Sequence, residues 1–317
     1  MFTMFHNLPT QLPLARYRFD FTITRRLELA EYAGSALRGA FGHALKRLAC
    51  INTEQELCNT CLMKQSCHYA HIFEPPILQE TGLHNLNKIP APYVIEPPPW
   101  GEHTYEVGQV FSFHMVLMGE QAIGLLPLIS LAWSHAFNMR VSGGQGILND
   151  ILYCPADVQA YSILKNQQLV DHHATVNVPA DLPSELVLSF VTPLRLQSNG
   201  KVLNQHTISG SALLMQLLRR VSLVAGQYWQ APMQGDFAQL KTQAARIPNQ
   251  HLLQWQDWQR YSTRQEQYMH LGGVVGHWQF KDLDSLWSSL FFIAQWLHLG
   301  KNASFGLGNY TLHSSPN

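Results

Sequence analysis

The sequence predicts an α+β protein built from two tandem β-α-β-β-α-β units, the ferredoxin-like (RRM-like) arrangement, with a glycine-rich loop near the C-terminus. Three observations predict it. Both halves end on an apolar helix, a glycine turn and a strand: Ser142-Gly-Gly-Gln-Gly146 makes the turn in the first half, and Gly300, Gly306 and Gly308 make it in the second. In both halves a β-branched or aromatic strand precedes the first helix. Hydrophobic residues make up 46% of the chain and charged residues only 13%, enough apolar material for two compact cores.

Leu14 to Leu29 alternates, with Tyr17, Phe19, Phe21 and Ile23 on one side and Arg16, Arg18, Asp20 and Thr22 on the other, so it reads as a half-buried strand. A helix follows over about Tyr32 to Leu48. Val107 to Met118 reads as a strand. Leu125, Leu128, Ile129, Ala132, Trp133, Ala136 and Phe137 form a helical stripe, and Ile147 to Tyr153 closes the unit. The stretch between the first helix and Val107 carries four cysteines and the clusters Pro75-Pro76 and Pro97-Pro98-Pro99. It reads as an insertion at about 50–100. The first domain therefore spans 1–155, a polar linker 156–183 and the second domain 184–317.

In the second domain Leu186 to Leu196 is a strand, bulged or interrupted at Pro193. Leu213, Leu214, Leu217, Leu218, Val221 and Leu223 place a helix over Ser209 to Trp229. Gln254 to Phe280, with Gly272, Gly273 and Gly276, reads as a hairpin. Leu283, Leu286, Trp287, Leu290, Phe291, Ala294 and Leu297 give the last helix, and Tyr310 to His313 the last strand.

Formal net charge is zero and the pI is near 7.3, so no global basic field exists and any nucleic acid must be recognised locally. Local bias is present. Leu186 to Gly235 contains Arg195, Lys201, Arg219 and Arg220 and no acid, and Arg38, Lys46 and Arg47 lack acidic neighbours up to Glu54. Pro9, Pro13, Arg16 and Arg18 interrupt the N-terminus, which does not read as a secretory signal. No run reaches the roughly 18 apolar residues of a membrane span. A cytoplasmic protein without a membrane partner is expected.

Of five cysteines, Cys50, Cys58, Cys61 and Cys67 fall together, with seven, two and five residues between them. Two thiolates two residues apart can grip one metal, and two more complete a tetrahedral sulfur site. Structural zinc is the expectation. An iron–sulfur cluster or free thiols are the alternatives, and His68 or His71 could replace one ligand. Cys154 stands alone and reads as a small hydrophobe.

Several segments resemble the CRISPR precursor-RNA-processing endoribonucleases, the sixth Cas family within the RAMP superfamily. In the first half they are Leu37-Arg-Gly-Ala-Phe-Gly-His-Ala-Leu-Lys46 and the Cys-x-x-Cys region through Ile72-Phe-Glu74. In the second half they are Phe190-Val-Thr-Pro-Leu-Arg195, Leu218-Arg-Arg220, Tyr261-Ser-Thr-Arg264, Leu271-Gly-Gly-Val-Val-Gly276 and Gly300-Lys-Asn-Ala-Ser-Phe-Gly-Leu-Gly308. The branch with a cysteine cluster after the first helix looks most similar. The resemblance implies two RRM-like domains and cleavage of CRISPR repeat RNA without a catalytic metal, leaving a 2′,3′-cyclic phosphate and a 5′-hydroxyl. It implies repeat RNA as partner, with CRISPR effector or adaptation proteins as further candidates.

Such cleavage needs a base for the 2′-hydroxyl, charge stabilisation on the phosphorane and an acid for the 5′ oxygen. The family often places its active-site histidine on the first helix, which makes His43 the leading candidate. Lys46, three residues on, shares its face, and Tyr32 comes next. His43 could equally be an ordinary polar-face residue. His270, before Gly272-Gly273, is the rival. Arg38, Arg195, Arg219, Arg220 and Arg264 are candidate RNA contacts, although Arg219 and Arg220 could merely complement a helix dipole. Tyr261 and Tyr268 suit sheet packing or base stacking. In the glycine loop, successive N–H groups with Gly300, Lys301, Ser304, Gly306 and Gly308 suit a phosphate, while αL glycines would also serve a tight connection. The turn Gly143-Gly-Gln-Gly146 is shorter and reads as structural. The alternatives are a non-catalytic RNA-binding RAMP subunit of an effector complex and a protein-docking scaffold.

Overall fold

The computed structural model describes residues 8–52, 58–76, 89–198, 200–262 and 267–314. The chain forms two compact units. One is Gln11–Asn177 together with Leu223–Ala231, and the other centres on Val178–Ser222 and Pro232–Asn317. No helix among the described residues is long and apolar enough to cross a membrane.

In the first unit the elements are β1 (Leu14–Arg25), α1 (Gly34–Ala49), α2 (His68–Phe73), β2 (Tyr93–Glu96), β3 (Val110–Met118), α3 (Glu120–Gly124), α4 (Leu126–Met139), β4 (Gln145–Tyr153) and β5 (Tyr161–Ser162). The sheet order is β2-β3-β1-β4-β5, all antiparallel. Its first four strands have the ferredoxin-like order. The alternation read in β1 is realised, because Tyr17, Phe19, Phe21 and Ile23 are all buried. They face aromatic residues from both long helices: Phe21 stacks on Phe137 at 4.1 Å, while Trp133 lies 4.4 Å from Phe113 and 4.9 Å from Phe41. Each such pair contributes about 0.5–1.5 kcal/mol beyond its buried area. Helix α1 packs on α2 at Gly42, where a Cβ would overlap the Phe73 ring. Arg38 lies 4.3 Å above that ring.

Three details differ from the sequence reading. The strand from Leu14 stops at Arg25, and Leu27–Leu29 pairs instead with His103–Tyr105. Gly144 presses on Leu27 there, with room for a Cβ only at 2.7 Å from its Cα, so the first glycine turn is structural. Helix α1 begins at Gly34, so Tyr32 precedes it and lies in the core. The stretch read as an insertion at 50–100 contains β2, the second strand of the unit. All four of its residues are buried, so no alternation marks it, and Pro92 and Pro97 confine it.

The second unit contains β6 (Leu186–Leu194), α5 (Gly210–Tyr228) as far as Ser222, α6 (Phe237–Ala244), β7 (Asn249–Gln256), β8 (Gln259–Ser262), β9 (Gln267–His270), β10 (Gly273–Phe280), α7 (Ser285–Leu297) and β11 (Tyr310–Ser314). Its sheet runs β7-β10-β6-β11, again antiparallel and ferredoxin-like. The apolar stripe of α5 is buried as its spacing requires. The expected hairpin is present and longer than read: β7 pairs with β10, and β8 with β9. Asp236 caps α6 by accepting from the N–H groups of Ala238 and Gln239. Register shifts between Phe190 and Leu194 in β6, where Pro193 removes a ladder donor.

The glycine-rich loop joins α7 to β11. Gly300, Gly306 and Gly308 have φ of 79°, 98° and 71°. A Cβ on Gly308 would overlap the carbonyl oxygen of Leu299, which approaches because Leu299 N–H donates to Gly308 O at 3.1 Å. We expect Gly308→Ala to cost about 2–3 kcal/mol or more, combining left-handed strain with overlap. Urea unfolding would measure it, and a loss under ~0.5 kcal/mol would contradict the packing described.

On the other face of the first sheet, Arg16 pairs with Glu96 at 2.9 Å, and Arg18 donates twice to Asp20 at 2.9 and 2.8 Å. His114 sits among these groups. Burial holds its pKa below the ordinary value, with Arg16 and Arg18 acting in the same sense and Glu96 and Asp20 opposing. The unfolded chain then binds more protons than the folded one between the lowered value and about 6.5, so stability rises with pH in that window. Acidification from pH 7 to 5 should lower the melting temperature of the wild type more than that of His114→Gln. Identical pH slopes would exclude this contribution.

Candidate nucleic-acid interface

Helix α1 projects one candidate group from the first unit. Its apolar face, Leu37, Phe41, Ala44 and Leu45, is buried, which leaves His43 and Arg47 exposed and Lys46 half-buried on the outward turns. His43, Lys46 and Arg47 are three and four residues apart and form one polar face. Arg47 Nη1 donates to Met139 Sδ at 3.5 Å. Tyr32 does not join this group. Its ring stacks on Trp100 at 4.9 Å, and burial, with Glu96 adding, keeps its hydroxyl protonated well above the ordinary value. Arg38 is turned inward over Phe73, close to the buried Tyr93 hydroxyl, whose pKa burial pushes up to about 12 against the pull of Arg38.

Cations of three kinds are present. Arg16 and Arg18 are neutralised by carboxylates. Lys46, Arg47, Arg219 and Lys301 make no ion pair among the described residues. Arg219 is exposed on α5, whereas Arg220 is half-buried and donates through Nη2 to Leu297 O at 2.8 Å, at the C-terminus of α7. Arg195 is half-buried too, with Nη1 donating to Gly272 O at 2.6 Å, and burial lowers its pKa. Both arginines are therefore engaged with backbone carbonyls. Arg264 lies outside the described residues. His270 is exposed at the end of β9, and Tyr261 and Tyr268 are register partners in the β8–β9 ladder.

The glycine-rich loop uses part of its amides internally and leaves three successive N–H groups, those of Asn302, Ala303 and Ser304, without a backbone acceptor among the described residues. The N–H groups of Leu299, Lys301, Phe305, Gly306, Gly308 and Asn309 all donate within the protein. Glycine is required at 300 and 308 because the backbone approaches Arg195 and Leu299 too closely for a side chain. What the loop presents outward is the exposed Lys301, while Ser304 is half-buried.

The four clustered cysteines are half-buried free thiols. Cys50 donates to Asn52 O at 3.2 Å, and burial pushes the Cys58 thiol up. Among the described residues no group of three or more His, Cys, Asp or Glu side chains is arranged to hold a metal ion. A cleft of about 530 Å³ in the first unit is lined by His71, Glu120, Gln121, Gln227 and Trp229 among others, without lysine or arginine, so it offers a phosphate no cationic partner.

One residue of consequence was not singled out from sequence. Thr192 Oγ1 donates to Gly306 O at 2.8 Å and accepts from Asn309 N–H at 2.9 Å, tying the loop to β6. A threonine before a proline in a strand carries no distinctive signal, and its role depends on the loop returning to it.

Comparison with known proteins places this arrangement. Residues 188–310 match the family model of the CRISPR-associated endoribonuclease Cas6, and residues 12–175 match the AF_1859_N family model, described as an N-terminal domain. No curated protein matches the chain. Among solved structures, a Cas6 product complex is similar with a TM-score of 0.56 at 13% identity, covering 95% of this chain and 100% of that one. Thermus thermophilus Cas6 gives 0.51 at 12%, covering 96% and 99%. A chain of a partial Cas6-RT-Cas1–Cas2 complex gives 0.55 at 16%, covering 96% of this chain, which spans only 47% of that longer one. At such identities these structures speak to fold, while the family models span both units. The chain belongs to the family of the AF_1859_N N-terminal domain, whose model matches over half of it, and its second unit matches the Cas6 family model.

Proposed function

We propose that this protein cleaves precursor CRISPR RNA within the repeat to release guide RNA, without a catalytic metal, leaving 2′,3′-cyclic phosphate and 5′-hydroxyl ends. The observation that carries the reading is the Cas6 family match over 188–310, a span that includes most of β6, all of β7 and β10, the hairpin and the whole glycine-rich loop, ending at the first residue of β11. The exposed polar face of α1 supports the chemistry. His43 accepts the proton of the 2′-hydroxyl, and the 2′ oxygen attacks phosphorus as the bond to the 5′ oxygen breaks. The leaving oxygen takes a proton from the imidazolium so formed or from water. Lys46 places positive charge near the phosphorane. The buried Tyr32 hydroxyl is not positioned for proton transfer. Exposed Lys301 and Arg219 contact phosphates of the bound RNA. A similar chain occurs in a complex with Cas1 and Cas2, so adaptation proteins are proposed as partners beside repeat RNA.

The test is cognate repeat RNA incubated with the wild type and with His43→Ala in excess EDTA, reading binding and cleavage separately. We expect undiminished wild-type cleavage, a rate loss of about 10²-fold or more in His43→Ala, and little change in affinity. A 2′-deoxy substitution at the scissile nucleotide should abolish cleavage while sparing binding. Wild-type cleavage in His43→Ala would move the proton transfer to another residue, with His270 tested next. Binding without cleavage by the wild type would replace the enzyme reading with a non-catalytic subunit.

A further inference from the structure

The bulged segment of β6 holds the glycine-rich loop at several points. Val191 N–H donates to Asn309 O at 2.9 Å, Gly308 N–H to Pro193 O at 3.0 Å, and Lys301 N–H to Arg195 O at 2.9 Å. Those bonds use the backbone. Thr192 adds two hydrogen bonds from its side chain to the loop, and it is 8% exposed. Its Oγ1 donates to Gly306 O and accepts from Asn309 N–H. Only a hydroxyl at this length both donates and accepts through one atom. Replacing it with a methyl group would leave a carbonyl and an N–H of the loop without partners in a buried setting.

The loop's two limbs are joined by the bond from Leu299 N–H to Gly308 O, so the limb that Thr192 holds is coupled to the limb that carries Lys301. Lys301 is the only charged residue between Leu299 and Tyr310, and its side chain is exposed and free of ion pairs among the described residues. We infer that Thr192 is a positioning residue for RNA: through its two hydrogen bonds it fixes the glycine-rich loop so that the Lys301 ammonium meets one RNA phosphate. The inference rests on the RNA-processing reading above. It assigns Thr192 to binding geometry and leaves the proton transfers elsewhere.

Counterion release supplies a readout that a purely structural role would not move. Neutralising one phosphate contributes about 0.7 to the slope of log K against log salt concentration on single-stranded RNA. Lys301→Met should reduce the slope by about that amount. Thr192→Val should weaken binding roughly 5–10-fold at low salt and show the same reduced slope, with cleavage at saturating RNA unchanged. Thr192→Ser should restore both. The Thr192→Val/Lys301→Met double variant should bind no more weakly than Lys301→Met alone. Ile293→Val, a buried change in α7, controls for lost stability and should keep the wild-type slope.

Thr192→Val with an unchanged slope, or with a loss that adds fully to that of Lys301→Met, would overturn the inference. Should Thr192→Val not fold, Thr192→Cys, a weak donor and acceptor, carries the same expectation. Wild-type binding and cleavage with no Thr192 effect would sink this inference alone. Absence of RNA binding by the wild type would remove the RNA-processing reading and this inference together.

Discussion

The pairing of each unit's central strand on both edges is the constraint from which the rest follows. β1 is held between β3 and β4, and β6 between β10 and β11. A strand paired on both sides cannot slip by one residue without turning its aromatic set outward. In β1 that set is Tyr17, Phe19, Phe21 and Ile23, against which α1 and α4 bring Phe41, Trp133 and Phe137. The packing then decides which face of α1 remains outside, and so why His43 and Arg47 are exposed while Arg38 is turned over Phe73.

In the second unit the same constraint is locally relaxed, and the relaxation is used. Pro193 interrupts the ladder of β6, and the resulting bulge frees the carbonyls of Pro193 and Arg195 from the sheet. The glycine-rich loop takes up these acceptors. Its glycines are thus required by close backbone approach, and most of its amides are used inside the protein. The loop is a clasp that displays Lys301, with the N–H groups of Asn302, Ala303 and Ser304 left without backbone acceptors among the described residues.

Some of the site was legible because it depends on local pattern. The exposure of His43 beside a half-buried Lys46 follows from the 3.6-residue period of α1, and the bulge at Pro193 from its missing N–H. Other parts were not legible because they depend on distant chain. β2 has four residues, all buried, and is recognisable only by its pairing with β3. The burial of Tyr32 follows from its stacking on Trp100, and Arg220 is engaged by the end of α7, 77 residues on.

The sequence by itself determined most of the strand and helix order of both units and their periods, because these are written in alternation, spacing and glycine placement. Only the tertiary structure decided which polar groups remain available. Whether an arginine, an amide or a thiol faces solvent or an internal partner depends on which residue the fold brings against it. Arg195 against Gly272, Thr192 between Gly306 and Asn309, and Arg18 against Asp20 are such decisions. The physical reason is that burial and hydrogen bonding act through space, whereas pattern acts along the chain.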